Sequence, residues 1–224
     1  MSKIDDLLQE FCPDGVEYRK LGEVGKFLRG SSFQKKHLRD HGVPCIHYGQ
    51  IYTHYKLSAN VTKSFLDPEF AVEKKTAKHN DLIIATTSEN DNDVCKALAW
   101  LGKSDVVVSN DALIYRHSLN PKYVSYFFQS EQFQKAKMKY ISGTKVLRVS
   151  SESLSKIQIP VPPIEVQEEI VRVLDSFAEL EAELEAELEA ELEARRRQYA
   201  YYRDQLLTFN KSEIERERAS KRIL

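Results

Sequence analysis

The sequence predicts a mixed α/β globular domain (α+β class) followed by one long α-helix that forms an antiparallel coiled coil. Three features predict this fold. Short apolar runs rich in β-branched residues alternate with Gly, Asn and Asp in the first part of the chain. A proline-rich stretch then covers residues 159–163, and residues 164–209 contain no proline or glycine and place apolar residues at heptad spacing. With 224 residues, 42% of them hydrophobic and 30% charged, the composition is typical of a globular protein.

Within the first part, residues 82–84, 106–108 and 112–115 are predicted to form strands. One helix is also well signalled, since Asn120 can cap it and Pro121 suits its first turn. Its apolar residues recur on one face, at Tyr123, Val124, Phe127 and Phe128. The prolines at residues 160, 162 and 163 then require an extended path, which predicts the end of the domain there.

The second part is predicted to be a single helix that begins after Pro163. Glu165, Glu168 and Glu169 lie in its first turns, where carboxylates favour the positive end of the helix dipole. Because a long helix with an apolar stripe is not stable alone, we expect this stripe to pair with a second helix. The predicted pairing residues are Ile170, Val173, Phe177, Leu180, Leu184, Leu188, Leu192, Tyr199, Tyr202 and Leu206, with Val166 and Phe209 continuing the stripe at its two ends.

A four-residue repeat, ELEA, occupies residues 179–194. Leu184 and Leu192 are eight residues apart where a heptad requires seven, so the repeat shifts the phase of the stripe. One added or lost unit would change the helix length by about 6 Å and rotate the rest of the helix by about 40°. The repeat therefore predicts an adjustable ruler, and the alternative interpretation is a solvated charged helix.

Net charge divides unevenly along the chain. Residues 1–163 carry 23 Lys and Arg against 18 Asp and Glu, whereas residues 164–224 carry 10 against 16. We therefore expect the first part, rather than the second, to approach a polyanion. The three cysteines form no CxxC pair, and no apolar run is long enough to span a membrane. These features, with no signal-peptide core at the start, favour a cytoplasmic protein that makes no membrane contact.

Common catalytic motifs are missing from the sequence: it contains no phosphate-binding loop, no GxGxxG, no GxSxG and no HExxH. Two weaker patterns remain as alternatives. Asp67 with residues 73–75 imitates the acidic pair and lysine of a metal-dependent nuclease. His37, His41, Cys45 and His47 have the spacing of zinc ligands, although Gly42 and Pro44 interrupt them. The sequence predicts neither a catalytic residue nor a bound metal.

Four polar and partly basic stretches interrupt the apolar runs, at residues 30–37, 47–50, 86–93 and 143–148. Lys and Arg neutralise DNA phosphates, while Gln, Asn, Ser, Thr and Arg can read base edges. Each stretch taken alone is also typical of a solvated loop. The candidate DNA-binding residues are Ser31, Gln34, Lys35, Lys36, Tyr48, Gln50, Thr86, Thr87, Ser88, Asn90, Asn92, Lys145 and Arg148.

The stretch from residue 143 to residue 175 resembles a known junction. It contains the pattern I-P-x-P-P-x-x-x-Q-x-x-I-V at residues 159–171, preceded by Gly143 and Thr144 and followed by Leu174 and Asp175. This is similar to the specificity (S) subunits of type I restriction–modification enzymes, in which a target recognition domain passes into a long spacer helix. Residues 20–30 and 80–83 resemble the domain start and a strand entry of the same family.

The resemblance implies an organisation and a function. Residues 1–160 would form a target recognition domain, residues 161–210 the spacer and dimerisation helix, and residues 211–224 a charged tail. Family members typically carry two of each, so this chain resembles a half-length form that would read one half-site of a bipartite DNA target as an antiparallel homodimer. The alternatives are a coiled-coil scaffold that does not touch DNA and, less favoured, the nuclease.

The resemblance also implies partners and a division of chemistry. Double-stranded DNA, a second copy of the chain and methyltransferase (M) subunits are the expected partners, and a restriction (R) subunit can join. The chain itself would be non-catalytic and bind no cofactor, since S-adenosylmethionine is used by the M subunits. Residues 195–197 with Tyr199, Tyr201 and Tyr202 are either a contact for these subunits or a solvated basic turn.

Overall fold

A computed structural model describes residues 3–208 and confirms the mixed α/β domain followed by a long helix. Contacts between residues divide the chain into two compact units, Met1–Arg172 and Val173–Leu224. The close packing of the first unit thus continues beyond the proline-rich stretch and takes in the first turns of the helix.

The strands of the first unit are short. They are β1 (Tyr18–Lys20), β2 (Gly25–Arg29), β3 (Val43–Ile46), β4 (Ser58–Ala59), β5 (Ser64–Leu66), β6 (Thr76–Ala77), β7 (Leu82–Ala85), β8 (Thr87–Ser88), β9 (Ala97–Trp100), β10 (Val106–Val108), β11 (Ala112–His117), β12 (Leu147–Arg148) and β13 (Gln158–Pro160). The three strands predicted from sequence are confirmed as β7, β10 and β11.

Eight α-helices connect these strands or follow them within the described residues. They are α1 (Lys3–Phe11), α2 (Leu21–Val24), α3 (Tyr48–Thr53), α4 (Pro68–Ala71), α5 (Pro121–Gln129), α6 (Glu131–Met138), α7 (Ser151–Leu154) and α8 (Ile164–Leu207), and a 3-10 helix covers Lys35–His37. Over residues 3–208 we find no helix with both the length and the apolar content needed to cross a membrane.

The main sheet has five strands in the order β2-β11-β7-β9-β4. Its neighbours are antiparallel except β4 and β9, which are parallel. Strands β7 and β9 are buried along their whole length, so their side chains form two apolar layers. Ile84 faces the core that contains α5, whereas Ile83 belongs to the core shared with β10. This alternation follows from the two-residue period of a strand.

A second sheet packs against the main one. It has four strands in the order β5-β3-β10-β6, with β3 and β10 parallel. Its central strand β10 is fully apolar and buried, with Val106 and Val108 facing the main sheet and Val107 facing a smaller core of Phe33, Cys45 and Leu66. The domain is therefore built in layers, with β10 carrying side chains into two cores.

Helix α5 confirms its predicted start. The Asn120 side chain accepts hydrogen bonds from the backbone N–H groups of Lys122 and Tyr123 at 3.0 and 3.2 Å, and Pro121 is the first helical residue. The predicted apolar face is buried against the main sheet, at Tyr123, Val124, Phe127 and Phe128. Phe133 of α6 completes this layer, with its ring centroid 4.2 Å from that of Phe128.

The two ends of the first unit are joined by β1 and β13, which pair antiparallel with Arg19 opposite Ile159. Just beyond this pair, the buried side chain of Gln167 donates a hydrogen bond to the carbonyl of Pro162 at 2.7 Å and accepts one from the backbone N–H of Asn120 at 2.9 Å. A buried amide that satisfies both a donor and an acceptor in this way costs little to bury. The glutamine of the junction pattern therefore ties the start of α8 to the start of α5.

Helix α8 is a single element, as predicted, and ends at Leu207. Phe209 and the charged tail at residues 211–224 lie outside the described residues. Val166, at one end of the predicted stripe, is fully buried in the first unit, and Ile170 packs against the same core. Ile170 therefore has less side chain free for a second helix than the sequence predicts, because the fold has already covered part of it. The fully exposed stripe begins at Phe177.

His117 is half-buried with both ring nitrogens fully buried, and this predicts a loss of stability in acid. Its ring packs on Tyr115 with centroids 4.9 Å apart, and neither ring nitrogen makes a hydrogen bond of ordinary geometry to the residues that the structure describes. Burial lowers the pKa of His117 from 6.5 to about 4. Between these pH values the unfolded chain binds a proton that the folded ring does not, so stability should fall as pH falls, by about 3 kcal/mol at most.

We expect His117→Phe to reduce this acid sensitivity, since phenylalanine fills the same space without a titrating group. Urea unfolding midpoints of both chains at pH 7 and pH 4.5 provide the measurement. Equal losses of stability in the two chains would contradict the assignment to His117.

Candidate nucleic-acid interface

Two adjacent depressions meet at the loop between β10 and β11, and we call them together the polar groove. They share Asn110 and Asp111. The larger, of about 500 Å³, is lined among others by Arg29, Thr86, Thr87, Ser142, Arg148 and Ser150. The smaller, of about 300 Å³, is lined by Ser32, Phe33, Gln34, Lys35, His47 and Tyr48. The groove thus collects residues from all four polar stretches found in the sequence.

The strand register explains why these distant segments meet. Strand β11 is antiparallel to both of its neighbours, with Leu113 opposite Arg29 of β2 and Ala112 opposite Ala85 of β7. The start of β11 therefore lies beside the ends of β2 and β7, and the residues that leave these strands gather at one edge of the main sheet.

Main-chain atoms hold much of the groove in place. The backbone N–H and the hydroxyl of Thr86 both donate to the carbonyl of Asp111, at 3.1 and 3.2 Å. The backbone N–H of Tyr48 donates to the hydroxyl of Ser109 at 2.8 Å. The hydroxyl of Tyr52 donates to the carbonyls of Ala85 and Thr87, and burial raises its pKa. These contacts fix the backbone at the rim of the groove. Few of the side chains that point into the groove take part in them.

Gly30 permits the close approach of two strands under the groove. Its backbone N–H donates to the carbonyl of Ala112 at 3.1 Å, and a Cβ on it would lie 2.1 Å from the carbonyl oxygen of Ser109. Any side chain at this position would push the loop that carries Asn110 away from β2.

A small hairpin forms the other wall. Strands β8 and β12 pair antiparallel, with Arg148 opposite Thr87 and Leu147 opposite Ser88. Two of the stretches singled out by sequence, 86–93 and 143–148, are thereby brought together. Lys145 is exposed in the turn before β12 and does not line the groove.

Three cations and two carboxylates line the groove. Arg29, Lys35 and Arg148 are exposed, and none of them forms an ion pair with any other residue in the range 3–208. Asp111 and Glu152 bring carboxylates to the same lining. Cations among hydroxyl and amide groups can bind phosphates and read base edges, and a carboxylate can accept a hydrogen bond from a cytosine amino group.

His47 is a neutral ring in this surface. Burial, followed by the positive charge of Lys35, lowers its pKa. Its Nδ1 accepts a hydrogen bond from the backbone N–H of Gly49 at 3.2 Å, as a neutral ring can. The ring caps α3 and positions Tyr48, so its role here is to shape the groove rather than to bind a phosphate.

Two of the candidate residues are committed to the fold. The amide of Gln50 donates to the hydroxyl of Ser64 at 2.7 Å and accepts from the backbone N–H of His47 at 3.0 Å, so its side chain serves α3 and not the groove. The hydroxyl of Ser31 accepts from the backbone N–H of Lys75 at 2.7 Å. Lys36 is exposed on the 3-10 helix beside the smaller depression.

Asn90 and Asn92 lie apart from the groove, in the loop between β8 and β9. The side chain of Asn90 stabilises that loop locally, since its carbonyl accepts from the backbone N–H of Asn92 at 2.9 Å. Asn92 lines a different depression, with Lys96 and Phe128. The structure therefore separates these asparagines from Thr86 and Thr87.

The residues at the centre of the groove are not among the candidates predicted from the sequence. In the sequence, these central residues look like ordinary strand-end and turn residues: Arg29, Asn110 and Asp111. Residues close to them are candidate DNA-binding residues. The available signal is the pair Asn110-Asp111 between two β-rich runs, which marks a tight turn at a strand end. Binding residues are disproportionately found on surface turns of this kind.

The structure does not bring together the residues of the two weaker sequence patterns, the nuclease-like one and the zinc-like one. Among residues 3–208 there is no group of three or more His, Cys, Asp or Glu side chains placed to hold a metal ion. Asp67 caps α4 by accepting from the backbone N–H of Glu69 at 3.0 Å, and His37 accepts from the backbone N–H of Gln34 at 3.1 Å.

Comparison with known proteins assigns the chain to a family. Residues 13–194 match the family model of the type I restriction modification DNA specificity domain. The chain belongs to this family. The resemblance seen in the sequence is thereby confirmed, as is the prediction of a non-catalytic specificity subunit rather than a nuclease.

Curated relatives agree with this assignment. The chain is 27% identical over 216 residues to the EcoR124I/EcoR124II type I restriction enzyme specificity subunit of Escherichia coli, covering 93% of this chain and 52% of that protein. It is 49% identical over 77 residues to the EcoprrI specificity subunit of the same organism, covering 31% of this chain and 19% of that one. The chain spans about half the length of the first of these relatives.

Solved structures share the fold. A chain from a structure of type I R-M complex assembly and conformational transition superposes with a TM-score of 0.64 at 19% identity, covering 90% of this chain and 50% of that one. The HsdS subunit of Thermoanaerobacter tengcongensis gives 0.55 at 19% identity, covering 81% and 43%. At this identity, both likenesses show a shared mixed α/β fold.

A buried lysine beside the hairpin predicts a local effect on this fold. The amine of Lys137 in α6 is buried, which lowers its pKa, and it donates to the carbonyls of Asn92 and Val94 at 2.9 and 2.8 Å. We expect Lys137→Met to keep the packing but to leave both carbonyls without this donor, costing about 1–3 kcal/mol.

Hydrogen exchange of the amides at residues 90–95 measures the change, which should appear there before it appears in β7. Lys135→Met on the exposed face of α6 is the matched control and should leave that loop unchanged. Equal exchange in both variants would show that the loop is held by other contacts.

Proposed function

We propose that this chain is the DNA-reading part of a type I restriction–modification complex. It reads one half-site of a bipartite target through the polar groove and acts as an antiparallel homodimer. In this proposal two identical groove-bearing domains meet inverted copies of one half-site, because a two-fold dimer presents the same surface twice.

The polar groove is the observation that carries the proposal. Cations at Arg29, Lys35 and Arg148 surround a centre of amide and hydroxyl groups at Asn110, Thr86 and Thr87. Phosphate contacts from the cations would set the register on DNA, and the uncharged polar groups would distinguish bases. The groove is concave and contains both hydrogen-bond donors and acceptors. These features support recognition of a DNA sequence rather than non-specific DNA binding.

The second unit has the opposite electrostatic character. The glutamates of the ELEA repeat are exposed, and two of them pair with arginines of the same helix, Glu191 with Arg195 and Glu193 with Arg197. The other glutamates of the repeat would repel a phosphate backbone. We therefore assign DNA contact to the first unit and spacing to the helix.

An exposed apolar stripe supports the dimer. In the second unit, Phe177, Leu180, Leu184, Leu188, Leu192, Tyr199, Tyr202 and Leu206 are all more than half exposed. An apolar stripe of this extent is a feature of helices that pair. A second copy would also bring the assembly to the length of the E. coli relative, of which one chain covers 52%.

Partners complete the proposal. M subunits would supply methyl transfer with S-adenosylmethionine, an R subunit can join them, and this chain would bind no cofactor of its own. Because its substrate is chromosomal or invading DNA, we place the complex in the cytoplasm.

The groove predicts which charges matter for DNA binding. In the chain assembled with M subunits, we expect Arg29→Ala and Arg148→Ala each to weaken binding to the target duplex by about 1–3 kcal/mol, and to lower the salt dependence by about one phosphate contact each where they touch the backbone. Genome-wide mapping of methylated sites in a host that carries both genes identifies the duplex to use. Binding is then measured across a salt series.

Lys26 and Lys103 provide matched controls, because they are exposed lysines at the opposite end of the main sheet. Their alanine variants should change binding by less than about 0.5 kcal/mol. An unchanged affinity in both arginine variants would move the DNA contact away from the groove. Methylated sites without mirrored halves would remove the dimer from the proposal.

The repeat predicts a change of spacing. Deleting one ELEA unit shortens the helix by about 6 Å, so the gap between half-sites should shrink by about one to two base pairs while each half-site keeps its sequence. Methylome mapping of the deletion variant reads both quantities at once. A changed half-site at constant spacing would contradict the ruler.

A further inference from the structure

The two ends of the exposed stripe of α8 have the same apolar spacing in opposite directions. From Val173 the apolar steps are 4 and 3 to Leu180, and from Leu206 backwards they are again 4 and 3 to Tyr199. The pairs 173 with 206, 177 with 202 and 180 with 199 therefore share one midpoint, between Glu189 and Ala190. An antiparallel pair centred there would match these six apolar residues with one another. The central Leu184, Leu188 and Leu192 would lie level with residues 195, 191 and 187 of the second copy, all of them charged.

We propose that two copies of α8 pair in this register, with the two-fold axis between residues 189 and 190. The proposal rests on the homodimer proposed above and adds its geometry. In this arrangement Phe177 faces Tyr202 of the second copy, and Leu180 faces its Tyr199. Arg195 and Arg196 lie level with the second copy's residues 183–184, inside the acidic repeat.

Burial separates this register from its nearest competitor. Shifting the axis by half a heptad to residue 186 pairs Leu184 with Leu188, Leu180 with Leu192 and Val173 with Tyr199, which is also favourable. However, that register places Leu206 opposite Val166 and Tyr202 opposite Ile170. Val166 is 0% exposed within its own unit, and Ile170 packs against the same core. The competitor therefore leaves the end of the stripe without an accessible partner.

Charge gives an independent argument for the same choice. With the axis at residue 186, the acidic repeats of the two copies lie against each other along nearly their whole length. The register centred at 189–190 instead moves Glu179, Glu181 and Glu183 opposite the segment that holds Arg195–Arg197. Arg196 forms no ion pair with the residues that the structure describes, and so is available to the glutamates of a second copy.

The angular positions of the arginines around the helix distinguish their roles. At 100° per residue, Arg196 flanks the stripe formed by Leu192 and Tyr199, whereas Arg197 points to the opposite side of the helix. Arg196 is thus the residue that would recognise the second copy electrostatically, beside its Glu181 and Glu185. In this proposal the arginine run serves self-pairing rather than contact with the M or R subunits.

Directed disulfide formation tests the register. Cys12 is first changed to serine, while the buried Cys45 and Cys95 can stay because burial raises the pKa of each thiol to about 12, which makes them poor nucleophiles. Two differently tagged full-length chains, one with Leu180→Cys and one with Tyr199→Cys, are mixed and oxidised. We expect the mixed disulfide to form at least tenfold faster than in a mixture of Leu180→Cys with Leu192→Cys.

The outcomes are distinct. Dominant linkage of 180 to 192 would overturn the register and leave the homodimer standing. Linkage of Leu180→Cys to itself would indicate a parallel pair, because in the proposed register these positions lie about 28 Å apart. A chain that sediments as a monomer in every mixture, with M subunits present, would overturn the register and the proposed dimer together.

Charge reversal gives a second measurement that does not depend on cysteines. Arg196→Glu should weaken self-association about tenfold, whereas the neighbouring Arg197→Glu should change it less than about twofold. Mixing the Arg196→Glu chain with a Glu181→Arg, Glu185→Arg chain should restore pairing as a heterodimer, since both halves of the interface then carry opposite charges. Equal effects of the two arginine variants, or no rescue in the mixture, would contradict the role of Arg196.

Discussion

Burial of the central strands on both faces is the constraint on which the rest of the first unit depends. Strands β7 and β9 have no exposed side, because α5 covers one face of the main sheet and the second sheet covers the other. Along these two strands, polar side chains can therefore appear only beyond the strand ends. The register of β11 then brings the ends of β2 and β7 to one edge, and the polar groove follows from that arrangement.

The helices and strands can be predicted because their sequence signals are local. The functional site is harder to predict, because it is formed by contacts between residues that are distant in the sequence. Strand β10 and helix α5 follow from apolar runs, an Asn cap and a first-turn proline, which all act within a few residues. Asn110 could not be recognised as the centre of the groove, because its importance arises from strand register across the sheet. Gln50 is a candidate because its amide can read bases, but the same amide also suits a helix start, and only the position of Ser64 decides between these uses.

Helix α8 is also only partly predictable from the sequence. Its heptad spacing predicts one continuous stripe, and α8 is indeed one element. Spacing alone does not reveal that Ile170 is shared with the core of the first unit, since a core-facing turn and a partner-facing turn have the same period. In the proposed function, cations for DNA sit on the domain and carboxylates on the helix. This separation would keep the nucleic acid at the groove and away from the surface that pairs.

Hydrogen bonds of main-chain groups hold much of the groove, such as those from the backbone N–H of Thr86 to the carbonyl of Asp111 and from the backbone N–H of Tyr48 to the hydroxyl of Ser109. The Nε of Arg29 also donates to the carbonyl of Asn110 at 3.4 Å, whereas side chains such as Lys35 and Arg148 project from this frame with few structural duties. Natural selection can therefore replace them one at a time without unfolding the domain that carries them. In the proposed function, a lineage of such proteins would change the DNA sequences it recognises far faster than it remodels its scaffold.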